Sequence, residues 1–117
     1  MAEALDSWAK ARDFALTLPG TATKGGRIES VVTSSNGQFF IFEGRETDTS
    51  FAVKIDLDTL DMLKETEPET YWQSKHYEGY PAVLVRYDSP DPERVRKVIE
   101  QAREQAAAKK PVRPRKK

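Results

Sequence analysis

His76 is the only histidine of the chain and there is no cysteine, so thiolate nucleophiles, disulfides, paired-histidine metal motifs and Cys-based zinc or iron–sulfur sites are all excluded. A metal would need carboxylates alone. Asp56, Asp58 and Asp61 lie close together, yet Asp61 stands where a calcium loop needs glycine, and Lys64 and Thr66 follow where ligands belong. Helix capping accounts for these acids, and no metal or other cofactor is assigned. Ser74 lies two positions from His76, but triads assemble in space from distant segments, so this proximity carries no nucleophile. Lys24-Gly25-Gly26 is too short to cradle a phosphate. No catalytic residue is assigned, and the expectation is a protein that is not an enzyme.

The richest constellation is residues 71–87. Tyr71, Trp72, His76, Tyr77, Tyr80 and Tyr87 place six rings within 17 positions, interleaved with Lys75 and Arg86. Aromatic faces beside cations suit stacking on bases and pairing with phosphates. The same residues also suit the rim and core of a small sheet. Trp72 and Tyr87 are read as core; His76, Tyr77 and Tyr80 are kept as candidate ligand-binding residues.

These groups must be positioned by a chain of 117 residues, the length of one domain. Its formal charge of zero conceals a separation of sign. Residues 1–108 hold 13 basic and 19 acidic side chains, a net −6, while Lys109, Lys110, Arg113, Arg115, Lys116 and Lys117 give the last nine residues +6. The domain is expected to span 1–108, with 109–117 a disordered basic tail, since Val112 is its only apolar side chain and Pro111 and Pro114 interrupt it. Residues 1–20 mix charges through their apolar positions, so no secretory signal is expected, and no apolar run is long enough to span a bilayer. A cytoplasmic location without membrane partners is the default expectation.

Apolar spacing predicts a first helix over 4–18, stopped by Pro19-Gly20. Residues 21–27 read as a loop. Ile28–Thr33 and Gln38–Glu43 read as strands joined through Asn36-Gly37, the second apolar on both faces and so expected to be covered on each side. Phe51, Val53 and Ile55 alternate as a half-buried strand with Lys54 on the wetter face. A short helix capped at Asp58 should follow, ending at Glu67-Pro68. Residues 71–77 read as extended, 82–87 as a strand, and Asp91-Pro92 as the cap and first turn of a last helix with the stripe Val95, Val98, Ile99, Ala102 and Ala106. The fold class is α+β, in the order α-β(3)-α-β(2)-α, an antiparallel sheet with its helices on one side.

Three stretches, Ala15-Leu16-Thr17-Leu18-Pro19-Gly20, Phe51-Ala52-Val53-Lys54-Ile55-Asp56 and His76-Tyr77-Glu78-Gly79-Tyr80-Pro81-Ala82-Val83-Leu84-Val85-Arg86, together resemble the MmcQ/YjbR family of bacterial proteins across residues 8–100. The resemblance implies a fold similar to type III secretion chaperones and a DNA-binding role in which two hairpin wings grip the duplex. It brings no catalytic or base-reading residues. A −6 body repels phosphate, so duplex contacts would fall to Lys24, Arg27, Arg45, Lys54, Lys75, Arg86 and the tail cations, with binding weak and salt-dependent. The alternative function is a protein- or small-ligand-binding scaffold that uses the aromatic 71–87 segment.

Overall fold

The computed structural model describes residues 5–26, 28–44 and 48–109. Its first helix, α1 (Trp8–Leu16), starts later than the spacing predicts because Ser7 caps it, its side chain accepting the Lys10 amide. Ala11 and Ala15 are buried, and Trp8, Phe14 and Leu18 pack around the core; Ala4 lies outside the described residues.

The loop expected at 21–27 is corrected. Thr21–Lys24 is a strand, β1, paired antiparallel to β2 (Ser30–Thr33) from Thr21↔Thr33 to Lys24↔Ser30. Its side chains are nearly all exposed, so no hydrophobic alternation betrays it. Backbone pairing and the Thr21 hydroxyl, which donates to the Ala15 and Leu18 carbonyls, hold it instead. The remaining strands are β3 (Phe39–Phe42), β4 (Ser50–Lys54), β5 (Tyr71–Trp72) and β6 (Ala82–Arg86). Among the described residues the sheet therefore has six strands in the order β1-β2-β3-β4-β6-β5, with every neighbouring pair antiparallel, and the element order is α-β(4)-α-β(2)-α.

The second helix, α2 (Leu57–Thr66), is capped by Asp56 rather than Asp58: an Asp56 carboxylate oxygen accepts the Thr59 amide at 2.9 Å. That contact, together with Gln105, holds the Asp56 carboxyl below the ordinary aspartate range. The third helix, α3 (Pro92–Ala107), begins as the sequence predicts, with Asp91 capping Arg94 and Pro92 in the first turn. All five residues of its expected stripe are buried.

Buried residues of all three helices join Phe51, Val53, Val83 and Val85 in one cluster, so the helices share a single face of the sheet. The strand alternation sends Ala52, Ala82 and Leu84 to the other face, where a smaller cluster forms around Tyr77 without any helix residue. The expected two-sided covering of β3 is also corrected. Val31 pairs with Ile41 but Val32 with Phe39, so Phe40 is the extra residue of a β-bulge. Phe40 and Ile41 consequently both point into the helix-side core, while Phe39 and Phe42 emerge together on the open face, edge to face at 5.4 Å.

Candidate ligand-binding cleft

The open face is shaped by what its strands send outward. Ala52 and Ala82 are small, so the sheet between Phe42 and Lys54 forms a floor rather than a ridge. Beyond Trp72 the chain does not stay extended to residue 77, as the sequence suggests. It turns at Ser74–Tyr77 and again at Tyr77–Tyr80, then folds back over the sheet. Gln73 fastens this turn, its amide nitrogen donating to the carbonyls of Tyr77, Tyr80 and Ala82 at 2.8–3.1 Å. The Pro81 carbonyl accepts the Ile55 amide, tying the other end to β4.

Sheet and turn together border a half-open cleft of about 460 Å³. Phe39 and Phe42 form one wall. Tyr77, only 7 % exposed and 6.1 Å from the Phe42 ring, forms the back. Tyr80 is the lip, 62 % exposed, and His76 stands outside Tyr77, edge to face at 4.8 Å. The two tyrosines that the sequence treats alike thus have different tasks, one anchoring the turn and the other left open to solvent.

Lys54 supplies the charge. Its ammonium sits 4.5 Å above the Phe39 ring, in cation–π range. Burial pushes the Lys54 pKa below the ordinary lysine value, and the nearby Lys109 ammonium pushes it further in the same direction. Lys109 reaches this place because Asn36, at the β2–β3 turn, donates to its backbone carbonyl and so docks the end of α3 beside the hairpin. Among the described residues neither lysine has a carboxylate partner.

The other cations expected to act together are scattered. Arg86 stacks over Trp72 at 4.6 Å on the same open face, four residues along the strand pair and so about 13 Å from Lys54. The Trp72 indole N–H donates to the buried Ser50 hydroxyl, which fixes the plane on which Arg86 rests. Lys24 ends the edge strand β1, three strands from β4 and about 14 Å away. Lys75 is exposed on the turn. Arg27, Arg45, Lys110, Arg113, Arg115, Lys116 and Lys117 lie outside the described residues. Tyr87 packs on Phe51 at the helix-side core, stacked at 6.0 Å, and burial raises its hydroxyl pKa.

Sequence reasoning misses Phe39 and Phe42 as part of the site. Four successive apolar residues carry no mark of which one is the bulge, and the bulge alone decides that positions three apart share a face. Among the described residues no three His, Cys, Asp or Glu side chains converge on a metal position, and no helix is long and apolar enough to cross a membrane.

Comparison of the chain with family models, curated proteins and solved structures returned no match. The MmcQ/YjbR label, and the DNA-binding, double-wing, bacterial and cytoplasmic terms attached to it, are carried by none of these comparisons and are withdrawn.

Proposed function

We propose that the chain is a non-catalytic binding protein that takes a small apolar ligand in the cleft between β3, β4 and the 73–81 turn. The observation that carries this reading is the half-open cleft itself: about 460 Å³ bordered by Phe39, Phe42, Tyr77 and Tyr80, with Lys54 and His76 as the few polar groups at its margin. Sites for small molecules have this size and this ratio of apolar wall to placed polar groups. A small ligand fits better than an extended peptide, because the stapled turn closes one side of the cleft and a peptide needs a groove open at both ends. Flat rings suit it best, since aromatic walls stack favourably on them.

The test is an amide NMR titration with a neutral two-ring probe, 2-naphthylmethanol. Shifts confined to Phe39, Phe42 and residues 76–82 are expected. Tyr80→Ser should weaken binding by roughly five- to twentyfold through lost ring contact, with no change in thermal midpoint because the ring is mostly in solvent. Shifts spread over the whole surface, or none in the cleft, overturn the reading.

A further inference from the structure

Three of the described cations have a carboxylate partner among the described residues. Lys10 pairs with Asp6 at 3.1 Å, Arg12 with Asp13 and Glu29 at 3.2 and 3.3 Å, and Arg94 with Glu67 at 3.0 Å. Lys54 is not among them, and its surroundings set it apart. It is partly withdrawn from water on the apolar sheet face, it has no carboxylate partner among the described residues, and a second ammonium, that of Lys109, is brought beside it from the other layer of the fold. Like charges at reduced dielectric repel, and the Phe39 ring lies under the Lys54 ammonium at 4.5 Å. Among the described residues no aspartate or glutamate lines the cleft.

We infer that the cleft is built for an apolar monoanion, a flat aromatic carboxylate, whose rings lie between Phe39 and Tyr80 and whose carboxylate lies on the Lys54 ammonium with Lys109 behind it. The inference rests on the ligand-binding reading above and adds its chemical class. Charge complementarity carries it: the apolar body of such a ligand is matched by the ring walls, and its single negative charge by the one charged group standing over them. An apolar cation is excluded by the same two lysines.

The experiment compares two probes of one shape, 2-naphthoate and neutral 2-naphthylmethanol, by calorimetry and amide NMR on the full chain at ~20 mM and ~200 mM salt. Naphthoate is expected to bind roughly tenfold more tightly at low salt, as one charge-assisted hydrogen bond implies, with the gap narrowing at high salt. Lys54→Met should abolish the gap, Lys54→Arg should retain most of it, and Lys109→Met should reduce it. Lys97→Met, on the exposed face of α3, should leave it intact. Lys54→Gln replaces Lys54→Met if the amide spectrum of the latter shows misfolding. Equal affinity for the two probes overturns the inference while the binding reading stands. A gap that survives Lys54→Met overturns it as well. Binding of neither probe in the cleft overturns both.

Discussion

Replacing Asn36 by alanine should be among the most destabilising single changes outside the apolar core, although Asn36 sits in a four-residue hairpin turn. Its side chain is 9 % exposed and joins two layers of the fold. The amide nitrogen donates to the carbonyls of Ala106, Ala107 and Lys109 at 2.9, 3.3 and 3.0 Å, so its two N–H groups serve three carbonyls at the end of α3. The amide oxygen accepts the Gln38 backbone N–H at 3.1 Å and the hydroxyl of Thr33. Ala107 and Lys109 are exposed and their carbonyls can turn to water, but Ala106 is buried at 4 % and Thr33 at 2 %. The Ala106 carbonyl keeps the Lys109 amide and the Thr33 hydroxyl keeps the Gln38 carbonyl, so what is lost is three hydrogen bonds, to the Ala106 carbonyl, the Thr33 hydroxyl and the Gln38 amide, at about 1 kcal/mol or slightly less each, giving about 2–3 kcal/mol in all. For a domain of this size that lowers the melting midpoint by roughly 8–12 °C. Urea and thermal denaturation measure the loss. Amide exchange should accelerate first in the last turn of α3, around Ala102–Ala106, and the naphthoate preference should fall because Lys109 is no longer held beside Lys54. A stability change below ~0.5 kcal/mol, or exchange that accelerates uniformly through the domain, would refute the view that Asn36 docks the helix end.

Two further outcomes follow from the geometry. Gly44→Ala should cost about 1–2 kcal/mol, because Gly44 holds φ at +78° and a Cβ there would meet the Tyr77 hydroxyl at 3.4 Å and the Ala52 Cβ at 3.5 Å. Chemical denaturation checks this, and an unchanged midpoint would show that the turn over the cleft yields freely. Glu29 accepts the Trp8 indole N–H at 2.7 Å and pairs with Arg12, contacts that lower its pKa, the indole contributing most. A carboxyl lowered in the folded state contributes stability that is present above the ordinary glutamate range and lost as pH falls through its folded pKa. Thermal midpoints measured from neutral to acid pH should thus fall less steeply for Glu29→Gln than for the parent chain; parallel profiles would mean the Trp8–Glu29 contact is not formed in solution.

What was legible beforehand is what depends on a repeating local pattern. The α3 stripe from Val95 to Ala106 is buried as its spacing requires, because a helix against a sheet can hide only one face. Asp91-Pro92 starts that helix, and Phe51 and Val53 alternate with Ala52 and Lys54 across β4, for equally local reasons. Asn36-Gly37 marks its turn because Gly37, at φ +73°, closes the hairpin in the left-handed region. Such features are written in the order of side chains along a few residues, and long-range packing only confirms them.

The cleft is not written that way. β1 is polar along an edge and is recognisable only from the strand it pairs with. Phe39 and Phe42 share a face because the β2–β3 register skips Phe40, a choice made between strands. Tyr77 is buried and Tyr80 exposed because Gln73 folds the turn back on the sheet, and Lys54 meets Lys109 only once Asn36 has docked α3 against the hairpin. Residue types and periods thus settled an α+β domain with aromatic and basic side chains to place. Register, bulge and helix docking, set by contacts up to 84 positions apart in the chain, decided which of them face one another. A local pattern constrains which way a side chain points within its own element, but the partner across the cleft is selected by the free energy of the whole packed core.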